Sequence, residues 1–418
     1  MCGRIAERAP GCAGYPTTPG RNTTDGVDTA GPVSEHMSVV TRICAPFEEQ
    51  FGTWVQEDQA VAANRSQEIR IALSSRLFRQ HKFAQRMVPW VDLADCGNRG
   101  YARRFLPAPG SCRLPPLVSL LQKWSRGAMR CNHTIVFAGD SLTRQLYSAV
   151  RNALILANSS NVAVAPWEVA DTLSPAEAEE TIFGLTGGHG ALTDGTLRLR
   201  FFPVYKELVP TFRDPSWLVE ADAAIMNIGA WTRDAPALEK ATKSLFDGVD
   251  AAIRHVREVR PLAIAPQLIW HEYMPAHFPS SLHGPDNGPG EFTRPNYVSQ
   301  VEWRRTSGGF HNSCSTESVP AADARDNWRL KIPSALLEQR RLRAKGSRWK
   351  VLPFFNAMWD LPDLHRDPGG SLDVVTDCRH WCQFSSATDF WVANLVNGLM
   401  APERPHHGRC MAKGERNR

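Results

Sequence analysis

Short apolar runs alternate along the chain with longer segments in which apolar residues recur at helical spacing. The runs TIVFAG (134–139), AAIMNIG (223–229), LAIAPQLIW (262–270) and WKVLPFF (349–355) have the length and apolar content of buried parallel strands. Helical patterns follow the first two runs, and ATDFWVANLVNGLM (387–400) predicts a terminal helix. This alternation predicts an α/β fold, a three-layer sandwich with a central, mostly parallel sheet.

Composition sets the predicted domain limits. Residues 1–40 are rich in Gly, Pro and Thr and lack apolar periodicity, so they are predicted to form a disordered leader or stem. Residues 403–418 are polar and are predicted to be a flexible tail. The domain then spans 41–402, with 131–402 as its catalytic core and 41–130 as a smaller lobe pinned by disulfides.

Charge and cysteine content narrow the classes of partner. The net charge of +5 is dispersed, unlike the basic patches of nucleic-acid-binding proteins, so no nucleic-acid partner is predicted. The ten cysteines are not arranged in CxxC pairs, which argues against a structural zinc site and favours disulfides in an oxidising compartment. Four N-x-[ST] sequons agree with that compartment: Asn22, Asn64, Asn132 and Asn158.

A targeting segment is expected for a protein of that compartment, but the sequence shows none. Residues 1–30 contain no apolar signal segment, and no run approaches the ~18 apolar residues of a membrane span. Either the N-terminus is truncated or the compartment is wrong. We favour a truncated N-terminus, with the loss of an anchor for membrane association and residence in the Golgi or secretory-pathway lumen, because a cytosolic protein would leave the ten cysteines unexplained.

The sharpest chemical signal is FAGDSLTRQ (137–145), where a predicted strand ends in Gly139 and a helix opens at Asp140-Ser141. This position puts the Ser141 hydroxyl at the carboxyl edge of the sheet, where open α/β sheets carry their active sites. The helix N-terminus also offers N–H groups to a developing oxyanion. The alternative is an ordinary turn in which Asp140 or Ser141 only caps the helix.

The stretch TDCRHWCQF (376–384) is open to three interpretations: a metal site, a disulfide anchor, or part of a catalytic triad. The metal site is disfavoured because no second ligand pair accompanies it, and the other two remain open. Asp377 and His380 would lie on one side of a helical turn, with the carboxylate holding the imidazole tautomer that accepts the Ser141 proton.

Other polar residues fall near predicted strand ends. Asn227 closes an apolar strand, where its amide either donates to an oxyanion or orders the next loop. Trp231, Trp381 and Trp391 are aromatic candidates for lining a substrate groove, with core packing as the alternative. Asp140 and Arg144 are further candidates for substrate binding, and an ion pair is the alternative for Arg144.

Two further motifs are rejected on their spacing. HEYMPAH (271–277) does not have the H-E-x-x-H pattern of zinc proteases, and its proline would break the helix that the pattern requires. GLTGGHG (184–190) has the glycines of a phosphate loop, but it is predicted to end a helix that begins near Ser174.

GDSLTRQ and DCRHWC together resemble the paired signatures of the trichome-birefringence-like, or PC-esterase, family of the SGNH/GDSL hydrolase superfamily. Supporting matches occur in the family's order between residues 42 and 402, among them FGTWV (51–55) and EWRRTSGGFHNSC (302–314). The family usually reads GDSLSRN and continues with Leu-Pro-Gly after the second motif. Here Thr143, Gln145 and the stretch QFSSA differ, which indicates a distant member.

The resemblance implies a polysaccharide O-acetyltransferase of the Golgi. It assigns Ser141 as nucleophile, His380 as base and Asp377 as the residue that orients the base. The Ser141 N–H and Asn227 would form the oxyanion hole, and Cys378 and Cys382 would be disulfide anchors. No metal or bound cofactor is implied; an acetyl donor such as acetyl-CoA is the co-substrate and a polysaccharide or glycan is the acceptor. The alternatives are a carbohydrate esterase with the same triad and a non-catalytic carbohydrate-binding protein.

Overall fold

The computed structural model describes residues 42–74, 97–157, 162–164, 179–186, 192–204, 218, 221–229, 232, 235–259, 265–275, 328–343, 349–366 and 377–400. Contacts group Val40–Arg418 into one compact unit. The predicted leader 1–40 and tail 403–418 lie outside the described residues, as do Trp231 and two of the four sequon asparagines, Asn22 and Asn158.

The strands of the described chain are β1 (Gly52–Gln56), β2 (Arg103–Pro107), β3 (His133–Gly139), β4 (Val162–Val164), β5 (Glu179–Thr186), β6 (Leu192–Pro203), β7 (Ala223–Asn227), β8 (Gln267–His271), β9 (Trp349–Leu352), β10 (His365–Arg366) and β11 (Asp377–Trp381). The α-helices are α1 (Gln59–Ser74), α2 (Leu117–Arg130), α3 (Ser141–Ala157), α4 (Ala235–Val259), α5 (Trp328–Arg343), α6 (Phe355–Met358) and α7 (Ser386–Leu399). Two short 3₁₀ helices span Gly97–Tyr101 and Pro362–Leu364.

Seven of these strands form one sheet in the order β4-β5-β6-β3-β7-β8-β9. The pairs β6–β3, β3–β7, β7–β8 and β8–β9 are parallel, whereas β5 runs antiparallel to both of its neighbours. The predicted α/β class and mostly parallel sheet are therefore confirmed. The predicted helix before GLTGGHG is wrong in its last part, because Glu179–Thr186 is a strand that pairs with β6.

The sheet is covered on both faces because alternate residues of its strands enter different core clusters. In β3, Ile135 and Phe137 join a first cluster with residues of α2, α3 and α7, such as Leu121 and Leu146. Val136 and Ala138 join a second cluster with residues of α4 and α5. Every residue of β3 is buried, as expected of a central parallel strand. The result is a helix–sheet–helix sandwich.

The residues before β3 form a separate two-stranded antiparallel sheet, β1 and β2, that packs against this sandwich. β1 and β2 pair antiparallel, and Cys44 and Cys112 form a disulfide across 68 positions of the chain. Closing a loop of that length stabilises a fold by roughly 4 kcal/mol in the chain-entropy account. Trp54 and Phe105 of this pair pack against Phe390 of α7, with ring centroids 5.8 and 4.8 Å apart respectively. α2 lies within the predicted smaller lobe, yet its apolar residues belong to the first core cluster.

The carboxyl end of β3 is the point at which the strand order reverses. β6 pairs with one side of β3, and the next strand along the chain, β7, pairs with the other side. In open α/β sheets such a switch point leaves a crevice outside the strand ends, where ligands bind. α3 begins at Ser141, two residues after β3 ends at Gly139, so the GDS motif lies at the switch point.

Gly139 is required by the crowding at this point. A Cβ atom there would lie 2.1 Å from Thr143 Oγ1 and 2.3 Å from the carbonyl oxygen of Asn227. Gly139→Ala is expected to lower the free energy of unfolding by about 1–3 kcal/mol, because neither a strand nor the first turn of α3 can move cheaply. Urea denaturation of both proteins measures the difference.

The matched control is Gly127→Ala, since a Cβ atom at this exposed position of α2 meets nothing within 4 Å. There the same substitution should stabilise the helix by about 0.5–1 kcal/mol. Equal effects at the two glycines would contradict the described packing.

Candidate active site

Asp140 caps α3 and leaves the Ser141 hydroxyl for another partner. The Asp140 carboxylate accepts the Leu142 N–H at 3.0 Å, which is the bond that an N-cap side chain makes. Ser141 is the first residue of α3, so its N–H belongs to the helix-terminal N–H groups that have no acceptor within the helix. Of the two capping alternatives raised by the sequence, the cap is Asp140.

The Ser141 hydroxyl lies 2.8 Å from Nε2 of His380, at a sequence separation of 239 residues. Both residues are buried, with 7% and 6% of their surface exposed. The contact that the sequence predicts is therefore present. With its proton on Nδ1, the imidazole accepts the hydroxyl proton, which is the arrangement of a nucleophile and its general base.

His380 comes from a strand, and the predicted helical turn is wrong. Asp377–Trp381 form β11, which pairs antiparallel with the two-residue strand β10. The register jumps from His365↔Trp381 to Arg366↔Asp377, so three residues of β11 bulge out of the ladder. Strand alternation cannot assign Asp377 a face across such a bulge. Its side chain lies outside the described part of the chain, so its role as orienter stays a prediction.

The residues around the bulge are fastened by disulfide and backbone bonds. Cys382 is disulfide-bonded, as the anchor prediction requires, while the side chain of Cys378 lies outside the described residues. The carbonyl oxygen of His380 accepts from Nδ1 of His365 at 3.2 Å, since a carbonyl can only accept. The N–H of Cys382 donates to the carbonyl oxygen of Leu364 at 3.0 Å.

Asn227 ends β7 directly opposite Gly139 in the parallel register, at the same sheet edge as Ser141. Its Nδ2 donates to the carbonyl oxygen of His271 at 2.7 Å, which uses one of its two N–H bonds. Its Oδ1 is buried and has no hydrogen-bond partner among the described residues, a condition that costs about 1–3 kcal/mol. Asn227 thus ties the ends of β7 and β8 together at the sheet edge that carries Ser141.

His271 is a site residue that the motif search missed. Its Nδ1 donates to the Glu272 carbonyl oxygen at 3.0 Å, so Nε2 carries no proton and accepts the Thr143 hydroxyl at 3.0 Å. Burial lowers the pKa of His271 to about 4, which keeps the ring neutral. The available signal was its position, a polar residue ending the apolar run QLIWH, as Asn227 ends AAIMN.

The remaining predicted binding residues lie deeper than a surface groove. Trp381 is fully buried, with its ring 4.1 Å from that of His365 and 5.8 Å from that of Trp391 between centroids. This packing favours the core alternative for Trp381. Arg144 is buried on α3, and the Asp140 carboxylate is engaged by the helix cap.

A cavity of about 430 Å³ lies elsewhere, between α1, the β1–β2 pair and α7. Trp54, Tyr101 and Phe390 contribute its aromatic wall, and neither Ser141 nor His380 lines it. Asp389 borders it, and burial raises the pKa of this carboxyl to about 6 against the opposing effect of Arg65.

Among the described residues, no group of His, Cys, Asp and Glu side chains is arranged to hold a metal ion. No described helix is long and apolar enough to cross a bilayer.

Comparison with known proteins adds no relative. No protein-family model matches the chain, and neither a curated protein nor a solved structure shows significant similarity to it.

The neutral state of His271 predicts a pH-dependent stability. Because its pKa falls from 6.5 to about 4 on folding, the unfolded chain binds a proton that the folded chain refuses. The contribution of His271 is thus fully present above pH ~6.5 and is lost as the pH falls toward ~4, to an extent on the order of 3 kcal/mol. His271→Gln removes this dependence.

The measurement is the difference in unfolding free energy between the native sequence and His271→Gln, taken by urea denaturation from about pH 7 to about pH 4. Asp389, whose pKa rises on folding, acts in the opposite sense, but it is common to both proteins and cancels. The difference should shrink or reverse on acidification. A constant difference would contradict a neutral, buried His271. His255→Gln, at an exposed position of α4, controls for the loss of an imidazole.

Proposed function

We propose that this protein is an O-acetyltransferase that moves an acetyl group to a hydroxyl of a polysaccharide or glycan through an acyl-serine intermediate. The observation that carries the proposal is the 2.8 Å contact between Ser141 Oγ and His380 Nε2 at the switch point of the sheet. The resemblance of GDSLTRQ and DCRHWC to the PC-esterase signatures supports the choice of acyl group and acceptor, and with it an SGNH-type fold.

In the first half-reaction, His380 takes the Ser141 hydroxyl proton while Oγ attacks the acyl carbon of a donor such as acetyl-CoA. The bond from the acyl carbon to the donor sulfur breaks, and the thiolate leaves with the proton that His380 holds. In the second, a sugar hydroxyl gives its proton to His380 and attacks the acyl-serine. Ser141 Oγ leaves and recovers the proton, so the enzyme returns to its starting state.

Charge develops on the acyl oxygen in both halves. The Ser141 N–H at the positive end of α3 and the second N–H of Asn227 are the proposed donors to this oxyanion. One such donor typically contributes about 3 kcal/mol to the transition state. Asp377 is proposed to hold the proton on His380 Nδ1, so that Nε2 remains the acceptor.

The esterase alternative uses the same residues and differs only in whether water or a sugar reaches the acyl-serine. The resemblance supports transfer, and the assay below separates the two. The Cys44–Cys112 disulfide supports a lumen of the secretory pathway as the place of action.

Ser141→Ala is predicted to abolish acetyl transfer without unfolding the protein, because the hydroxyl is the only group removed. The assay supplies an acetyl donor and a panel of oligosaccharides to protein produced in an oxidising compartment, and mass spectrometry detects acetylated products. The native sequence should acetylate at least one oligosaccharide, and the variant should fall by about 10³-fold or more.

Ser125→Ala is the matched control, since Ser125 is also a buried helical serine and its hydroxyl bonds only to its own helix. It should retain full transfer. Release of acetate without any acetylated sugar would show that the protein is an esterase and would contradict the transferase proposal. Full activity of Ser141→Ala would overturn both.

A further inference from the structure

We infer that Gln145 is the positioning residue that sets the contact between Ser141 and His380, an inference that rests on the proposed function only for its effect on the reaction. Gln145 is fully buried in α3. Its side-chain amide forms two hydrogen bonds with the backbone of Trp381, the residue that directly follows His380. Nε2 donates to the Trp381 carbonyl oxygen at 2.9 Å, and Oε1 accepts the Trp381 N–H at 3.1 Å.

These two bonds belong to a set of four that holds the two peptide groups following His380, the proposed base. The peptide between His380 and Trp381 is held by His365 at its carbonyl oxygen and by Gln145 at its N–H. The next peptide is held by Gln145 at its carbonyl oxygen and by Leu364 at its N–H. Both peptide planes after His380 are therefore fixed on each side. The bonds to Leu364 and His365 hold these peptides on one side, and Gln145 ties them to α3, the helix that carries the nucleophile.

The position of Gln145 on α3 explains its reach. Gln145 lies one helical turn after Ser141, so their side chains leave the same face of the helix. The backbone carbonyl oxygen of Gln145 also accepts Nε2 of Gln383 at 3.1 Å, which ties a second residue beyond His380 to the same turn. A shift of His380 relative to Ser141 has to break these bonds.

We call the two hydrogen bonds from the Gln145 amide to the Trp381 backbone the clamp. It requires a side-chain amide of the length of glutamine. Only an amide presents a donor and an acceptor side by side, as a neighbouring strand would. Methionine fills the same volume but offers no N–H. Glutamate keeps an acceptor for the Trp381 N–H but turns an oxygen toward the Trp381 carbonyl oxygen. Both substitutions weaken the hold on the residue after His380 without changing the Ser141 or His380 side chain itself.

The test compares Gln145→Met with Gln50→Met. Gln50 is also a buried glutamine, whose Nε2 donates to Asn394 Oδ1 at 2.8 Å, and it has no bond to Ser141, His380 or Trp381. The first readout is the rate at which a fluorophosphonate probe labels Ser141. Because a misplacement of ~1 Å costs a catalytic contact about 10²-fold, Gln145→Met should react at least about tenfold more slowly than the native sequence. Gln50→Met should stay within about twofold.

A second readout does not depend on reactivity. Hydrogen exchange at the Trp381 N–H, measured by NMR, should accelerate in Gln145→Met and stay unchanged in Gln50→Met. If Gln145→Met does not fold, Gln145→Glu takes its place in both measurements. In a transfer assay, the variant should lose kcat with KM unchanged, since the clamp touches no substrate.

The outcomes separate the inference from the proposed function. A native protein whose Ser141 is not labelled argues against the proposed function, and the exchange of the Trp381 N–H then decides the role of Gln145. Native exchange at Trp381 in the variant overturns the inference in either case. The inference is also overturned if a folded Gln145→Met protein is labelled at Ser141 as fast as the native protein.

Discussion

The hydrogen bond between Ser141 Oγ and His380 Nε2 joins two parts of the chain that are 239 residues apart, and the site depends on holding it. Ser141 is held by the strand-to-helix turn at Gly139, where only a glycine fits and where Asp140 caps α3. The backbone beside His380 accepts a hydrogen bond from the His365 side chain of β10 on one side and donates one to the Gln145 side chain of α3 on the other. Each half is a local structure, and the hydrogen bonds from Gln145 of α3 to Trp381 connect them beside the Ser141–His380 bond itself.

The strand end next to Ser141 is built from buried polar groups that support one another. Thr143 donates to a neutral His271, and the carbonyl oxygen of His271 accepts from Asn227. Burying such groups is costly unless they are paired, so this network fixes the first turn of α3 and the ends of β7 and β8 relative to one another. Among the described residues, the Oδ1 of Asn227 is the one atom of this network without a partner.

Local patterns predicted the features that depend on neighbouring residues. The apolar runs gave β3, β7, β8 and β9, and the GDS turn placed Ser141 correctly at the sheet edge. The conformation of Asp377–Trp381 was not predictable in this way, because its pairing partner β10 has only two residues and carries no strand pattern. The burial of Trp381 and the role of Gln145 depend on contacts across more than 200 residues, for which the sequence holds no local signal.

The most direct test of the account is to locate the acyl group on the enzyme. The protein is incubated with an acetyl donor in the absence of acceptor, digested, and mapped by mass spectrometry, with His380→Gln as the variant that lacks the base. The account predicts an acetyl group on Ser141 in the native sequence and at least about 10²-fold less of it in the variant. Acetyl transfer to a sugar by a protein whose Ser141 never carries the acetyl group would contradict it.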